Sequence, residues 1–216
     1  MPENTPRLPK SIWIGFVLLF GFIGLAFLLW LSSITRNPPI AVIGPVADFT
    51  LTNQDGNVTT LADLTNHVWV ADIIFTRCAG QCPRMTQQMK SLQDKLPADS
   101  TARLVTLTTD PDYDSPAVMK KYGERTGADF NRWLFLTGTK REIAQLGGNE
   151  LKLSTQPIKL EDRKSPVDLF IHATIFVIVD KHARLRTFFE TAGDGVDWSK
   201  VESKILKTVR QLENEP

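Results

Sequence analysis

No charged residue occurs from Ser11 to Thr35, and the run SIWIGFVLLFGFIGLAFLLWLSSI within that stretch is apolar almost throughout. At about 1.5 Å per helical residue it is long enough to cross a hydrocarbon core of roughly 30 Å. The alternative is a cleaved secretory signal, which has an apolar core of about 7–15 residues and small residues at its cleavage site. This run is longer, and Leu29-Trp30-Leu31 is bulky. Residues 11–35 are therefore predicted to be a transmembrane anchor, with Trp13 and Trp30 at interfacial depth.

Arg7 and Lys10 stand against Glu3 before the span, whereas only Arg36 follows it, ahead of the stiff Asn37-Pro38-Pro39 exit. The excess of basic residues keeps the amino end inside and carries the rest across. The ten residues before the span are neither Arg-rich nor Ser-rich, which leaves no room for an organellar transit peptide. A bacterial inner membrane with the domain in the periplasm is the expected location. The expected division is a cytoplasmic N-terminus over 1–10, the anchor over 11–35, a linker over 36–46 and one domain over 47–216. Beyond residue 36 that domain carries 22 basic and 23 acidic residues, so it is close to neutral. Same-sign runs such as Lys120-Lys121 and Lys140-Arg141 stop at two, which excludes a polycationic nucleic-acid surface. A hydrophobic content of 42% excludes intrinsic disorder.

The domain alternates strands and helices. Phe49–Leu51 and Val58–Leu61 flank Asp55-Gly56 and predict a hairpin. Val68–Phe75 is nearly continuous apolar, as in a central strand covered on both faces. Cys82, Met85, Met89, Leu92 and Leu96 form one helical stripe that stops at Pro97. At that spacing Met85 and Met89 read as core rather than as soft ligands. A strand over 103–108, a helix from Ser115-Pro116 to about Arg125, a strand over 133–136 and a helix over 139–146 follow. Residues 147–168 lack a clear period and read as an insertion holding a short hairpin. A strand from His172 to Val179, a turn, a strand over 185–189 and an amphipathic helix over 198–212 complete the chain. Such alternation means an α/β domain with a parallel or mixed sheet.

Both cysteines of the chain fall in Cys78-Ala79-Gly80-Gln81-Cys82, between the central strand and a helix with Pro83 in its first turn. Two cysteines cannot staple a domain of this size, so they are free for other work. Residues four apart on a helical turn have Cα atoms about 6 Å apart, within reach of a disulfide or of one metal ion. A helix N-terminus favours the thiolate, the form that attacks disulfides and binds metal. The alternative, two buried small hydrophobes, does not explain why the only pair sits at a strand-to-helix junction of an exported domain. Three intervening residues differ from the two of a thioredoxin-type redox site, and no second pair completes a four-thiolate centre. Two thiolates plus one imidazole make a three-coordinate soft site suited to Cu(I), with room for Cu(II) through an added oxygen ligand. His67, His172 and His182 are the candidates. His67 lies at the far end of the central strand and His182 in a polar turn, whereas His172 follows the long insertion. The residues alone leave a ligand role and a surface role for His172 both open. Asp114 and Ser115, next to Pro116, read as a helix cap and turn, and Asp110 as an outer carboxylate near the site.

The order of elements and motifs resembles the Sco/SenC family of copper-binding proteins, which help assemble the copper centre of cytochrome c oxidase. The resemblance runs from about Gly44 to the C-terminus. It rests on Phe75-Thr76-Arg77-Cys78-Ala79-Gly80-Gln81-Cys82-Pro83, on Asp110-Pro111-Asp112-Tyr113-Asp114-Ser115-Pro116, and on His172 before an apolar strand ending at Asp180. It implies a thioredoxin-like fold with an N-terminal β-hairpin extension and an inserted loop or hairpin, preceded by one transmembrane helix. It also implies that Cys78, Cys82 and His172 bind one copper ion. The family usually carries Pro-Asp between the cysteines and Ser after the histidine; this chain has Ala79-Gly80 and Ala173. Those changes loosen the loop and remove a negative charge beside the thiolates.

The expected function is that of a membrane-anchored metallochaperone that passes copper by ligand exchange to the copper-binding subunit of cytochrome c oxidase or another copper or thiol protein. No substrate bond is made or broken, so the chain is not read as an enzyme. The alternative is a periplasmic thiol–disulfide oxidoreductase in which Cys78 attacks a disulfide and Cys82 resolves the mixed intermediate, keeping the acceptor's cysteines reduced. A redox or copper sensor has no sequence feature for or against it.

Overall fold

The computed structural model describes residues 10–36, 38–153, 155–157, 170–172 and 174–216. They fall into two compact units, Met1–Ile40 and Ala41–Pro216. The first is built on one helix, α1 (Lys10–Arg36), within which Ile12–Leu31 is long and apolar enough to cross a membrane. Trp13, Phe16, Phe20, Phe27 and Trp30 are all exposed along it, and among the described side chains, those of Ile12–Leu31, none is buried.

The second unit is a mixed sheet of eight strands with helices on its faces. In chain order these are β1 (Gly44–Pro45), β2 (Thr50–Asn53), β3 (Val58–Thr60), β4 (Trp69–Ile74), α2 (Cys82–Lys95), β5 (Arg103–Thr108), α3 (Pro116–Thr126) and β6 (Trp133–Thr137). Then come α4 (Lys140–Ile143), β7 (Thr155–Pro157), β8 (Phe170–His172), β9 (Ile175–Val179), β10 (Arg184–Glu190) and α5 (Trp198–Glu213). The strand order is β1-β10-β9-β4-β5-β6-β2-β3, and β7 pairs with β8 in a separate two-stranded sheet. This is the thioredoxin-like fold with its N-terminal hairpin and inserted hairpin.

All six residues of β4 are buried, because β5 pairs with it in parallel, β9 pairs antiparallel, and both faces are covered. Trp69, Ala71 and Ile73 join one core with Val105, Leu107, Val177, Leu146 and Leu151. The alternate residues face the other side, where Cys82, Met85, Met89 and Leu92 of α2 and Ile205, Val209 and Leu212 of α5 are buried. The β2–β3 hairpin closes as expected at Asn53–Asn57, with Gly56 at φ +80°, a conformation glycine adopts without strain.

Two boundaries differ from the sequence reading. The helix starting at Lys140 continues past Ile143 as a π-helical stretch to Glu150, and Leu151 and Leu153 are fully buried. Gly147 suits the close approach: a Cβ there would stand 3.0 Å from Ile73 Cδ1, a tight contact that glycine avoids. The apolar run from His172 to Val179 is also not one strand. His172 ends β8, opposite Thr155, while β9 starts at Ile175.

At the far end of the sheet, a buried cluster closes the domain. Arg186 donates to Asp180 (2.7 Å), to Glu215 (2.6 Å) and to the Ala41 carbonyl (3.3 Å). Arg184 adds a second guanidinium to Asp180 at 2.8 Å. Burial alone would raise the Asp180 carboxyl, but the hydrogen bonds from Arg186 and Arg184 outweigh it and hold the group below its usual value. The stability it supplies is therefore present above the ordinary carboxylate pKa of about 3.9 and lost as pH falls through the lower folded value. Arg186→Ala leaves a buried carboxylate short of its main partner and should cost about 3 kcal/mol. Chemical denaturation at pH 7 measures this; a loss well under 1 kcal/mol would contradict it.

Candidate metal centre

Both cysteines lie at the C-terminal end of β4. Cys82 is the first residue of α2, with Pro83 beside it, and is fully buried; Cys78 sits in the preceding loop, half-buried. The loop turns back at Cys78, whose N–H donates to the Phe75 carbonyl at 3.1 Å. The two thiols are free of a disulfide and in hydrogen-bonding contact with each other. The Cys78 sulfur beside it, together with burial, pushes the Cys82 thiol far above the ordinary thiol range, although the Phe75 backbone acts in the opposite sense. Cys78 instead receives an N–H bond from Gly80 at 3.3 Å, which supports negative charge on that sulfur. A Cβ at position 80 would lie 3.7 Å from Cys78 Sγ. The aspartate usual in the family would thus stand beside this sulfur, and its absence removes a like charge.

The residues before Cys78 are gripped by the loop leaving β5. Asp114 is fully buried and accepts from Thr76 N–H (3.1 Å), from the Thr76 hydroxyl and from the Thr108 hydroxyl. Burial raises its carboxyl, with the hydroxyls of Thr108 and Thr76 opposing. The expectation that Asp114 caps α3 is therefore corrected: Ser115 is the N-cap, without a side-chain bond, and Asp114 faces inward. Asp110 pairs with the Arg77 guanidinium, whose centre lies 4.1 Å from the Tyr113 ring. On the other side of the site, the Thr86 hydroxyl donates to the Cys82 carbonyl at 2.9 Å and meets the Tyr122 phenol at 2.7 Å. Burial pushes that phenol up to about 12, with the Thr86 bond opposing and the nearby thiols and Asp72 adding to the rise. Met85 and Met89 are fully buried in the core stripe, as expected.

The sheet register sorts the histidines. β9 runs antiparallel to β4, with Trp69 opposite Val179 and Ala71 opposite Val177. The start of β9 therefore lies at the cysteine end, and the main chain of His172, three residues earlier, is within about 10 Å of Ile175. The His172 side chain lies outside the described residues. His67, whose Nδ1 is 2.8 Å from the Thr101 carbonyl, and His182, in the turn after β9, stand at the opposite end of the sheet. The length of β4, about 17 Å, separates them from the thiols. Among the described residues no cluster of three His, Cys, Asp or Glu side chains could hold a metal. Thr108 and Tyr122 had no local signal as parts of the site, whereas Thr76 lies within the cysteine motif and Asp114 within the Asp110–Pro116 motif, where it reads as a cap.

The sequence model of SCO1/SenC matches residues 43–208. The chain belongs to the SCO1/SenC family. It is 36% identical over 136 residues to a SCO1 protein homolog of Bacillus subtilis (strain 168), covering 62% of this chain and 67% of that protein. The solved structure of BsSco, a Sco family cytochrome c oxidase assembly protein in which a disulfide switch was identified, superposes with a TM-score of 0.67 at 28% identity. That match covers 82% of this chain and 99% of BsSco. Arabidopsis thaliana ScoI with copper bound matches with a TM-score of 0.64 over 78% of this chain and 99% of its own; at 20% identity it shows the fold alone.

The two thiols of this SCO1/SenC domain differ in exposure and in support for charge, so they should react unequally. Iodoacetamide at pH 7.5 is expected to label Cys78 first, with Cys82 slower by at least about tenfold. Peptide mapping by mass spectrometry reads this; equal rates at both sites in the folded protein would contradict it.

Proposed function

We propose that this chain is a membrane-anchored copper metallochaperone, with α1 spanning a bacterial inner membrane and the domain over 47–216 in the periplasm. The excess of basic residues before the span supports that orientation. Cys78, Cys82 and His172 hold one Cu(I) ion as cargo, and an added oxygen ligand accommodates Cu(II). The observation that carries the reading is the contact between a half-exposed and a buried thiol at the C-terminal end of β4. Two soft sulfurs that close favour Cu(I), and Cys78, on the loop, is the donor an acceptor reaches first. The β9 register supports His172 as the third ligand. The acceptor is the copper-binding subunit of cytochrome c oxidase, in line with the assembly role stated for BsSco.

The unequal thiols also favour a second reading, the reduction of an acceptor disulfide. Cys78 thiolate attacks one sulfur and releases the other as a thiolate. Cys82 then attacks the mixed disulfide, its proton passing to the leaving sulfur. The acceptor gains two electrons and this chain is left with a Cys78–Cys82 disulfide.

The test is an anaerobic Cu(I) titration of the reduced full chain in detergent against a competing chelator, beside His172→Ala. One ion per chain, weakened at least about tenfold in the variant, is expected. Binding indifferent to His172 would contradict the three-ligand site and leave disulfide reduction as the better reading.

A further inference from the structure

Cys82 is fixed by its helix, but Cys78 stands in a loop, and what sets its position lies on the neighbouring strand. β4 and β5 are parallel with Ile74 opposite Thr108, so the segments leaving both strands emerge side by side. The segment after β5 is folded on itself: Tyr113 and Asp114 N–H groups donate to the Asp110 carbonyl at 3.0 and 2.8 Å. The Asp110 N–H donates to the Thr108 hydroxyl at 2.9 Å, and that hydroxyl in turn donates to Asp114. This preformed turn aims one fully buried carboxylate at Thr76, two residues before Cys78, and takes both of its donors, N–H and hydroxyl. The next residue, Arg77, is held by Asp110 and Tyr113 of the same turn.

We propose that Asp114 is a positioning residue: by holding both donors of Thr76, its buried carboxylate sets where the Cys78 sulfur stands relative to Cys82. The inference rests on the reading of Cys78 and Cys82 as a pair that acts together. A carboxylate suits the task because its two oxygens accept three donors. An amide has one accepting oxygen and turns donor hydrogens toward a threonine hydroxyl. The reach is short, since two residues span at most about 7 Å, so a shift of Thr76 is passed on to Cys78.

The reduction potential of the Cys78–Cys82 couple reads the placement of the sulfurs without copper. It is measured on the full chain in detergent by equilibration with glutathione, beside thermal melting. Thr76→Val, which keeps shape and N–H but loses the hydroxyl, and Asp114→Asn should each change the disulfide equilibrium constant about tenfold, or about 30 mV. Thr76→Ser should restore the native potential. Arg186→Ala, which breaks the buried ion pair with Asp180 at the opposite end of the sheet, should lower the melting temperature while leaving the potential near native. Native potentials in folded Thr76→Val and Asp114→Asn, or an equal shift in Arg186→Ala, would reduce Asp114 to a structural group and overturn the proposal. If Asp114→Asn does not fold, the Thr76→Val and Thr76→Ser pair decides alone. A wild-type chain that fails to bind Cu(I) overturns the copper reading, whereas the positioning role of Asp114 stands or falls on the potentials, which are measured without copper.

Discussion

The pairing of β4 between β5 and β9 is the constraint on which the rest depends. Six consecutive buried residues, Trp69 to Ile74, leave that strand no freedom of register, since a one-residue slip would exchange Ile73 for Asp72 in the apolar core. Once the register is fixed, the cysteine loop must leave at one end of the sheet. The parallel partner β5 delivers Asp110 and Asp114 to the same end, and the antiparallel partner β9 brings the chain in from His172 there. His67 and His182 are consigned to the other end by the same pairing. Topology thus brings to one end of the sheet segments about thirty and ninety residues from the cysteine loop.

Within the site, one thiol is fixed and the other adjustable. Cys82 is buried as the first residue of α2 with its carbonyl tied to Thr86, while Cys78 stands half-exposed on a loop whose preceding residues, Thr76 and Arg77, are held by the turn after β5. That division serves a donor that must both hold a soft ion and surrender it, because one ligand can leave while the other keeps the site formed. It serves disulfide exchange equally well, where the exposed sulfur attacks and the buried one resolves. The geometry of the thiols alone therefore fits both chemistries, and the proposed ligand role of His172 is what separates them.

The α/β architecture, the hairpin at Asp55-Gly56 and the stripe from Cys82 to Leu96 were legible because each is written in local periodicity or turn chemistry. The cysteine pair was legible because its spacing and its junction are local too. Asp114 was not: its partner Thr76 lies 38 residues away, and beside Ser115-Pro116 an aspartate has the local look of a cap. The π-helical stretch after Ile143 has no local signal, because Gly147-Gly148 has the look of a helix end, whereas in the fold Gly147 packs close to Ile73. The break between β8 and β9 falls inside an apolar run, where composition carries no signal for a change of pairing partner. The buried Glu202 of α5 is likewise explained only by Lys95 and Ser91 of α2, more than a hundred residues earlier.

X-ray absorption at the copper edge of the Cu(I)-loaded full chain tests the central claim, that one end of β4 gathers two sulfurs and one imidazole, most directly. The account predicts a three-coordinate ion with two sulfur scatterers and one imidazole nitrogen whose outer-shell ring signal disappears in His172→Ala. A spectrum of sulfur alone, or an imidazole signal that survives that substitution, would contradict it.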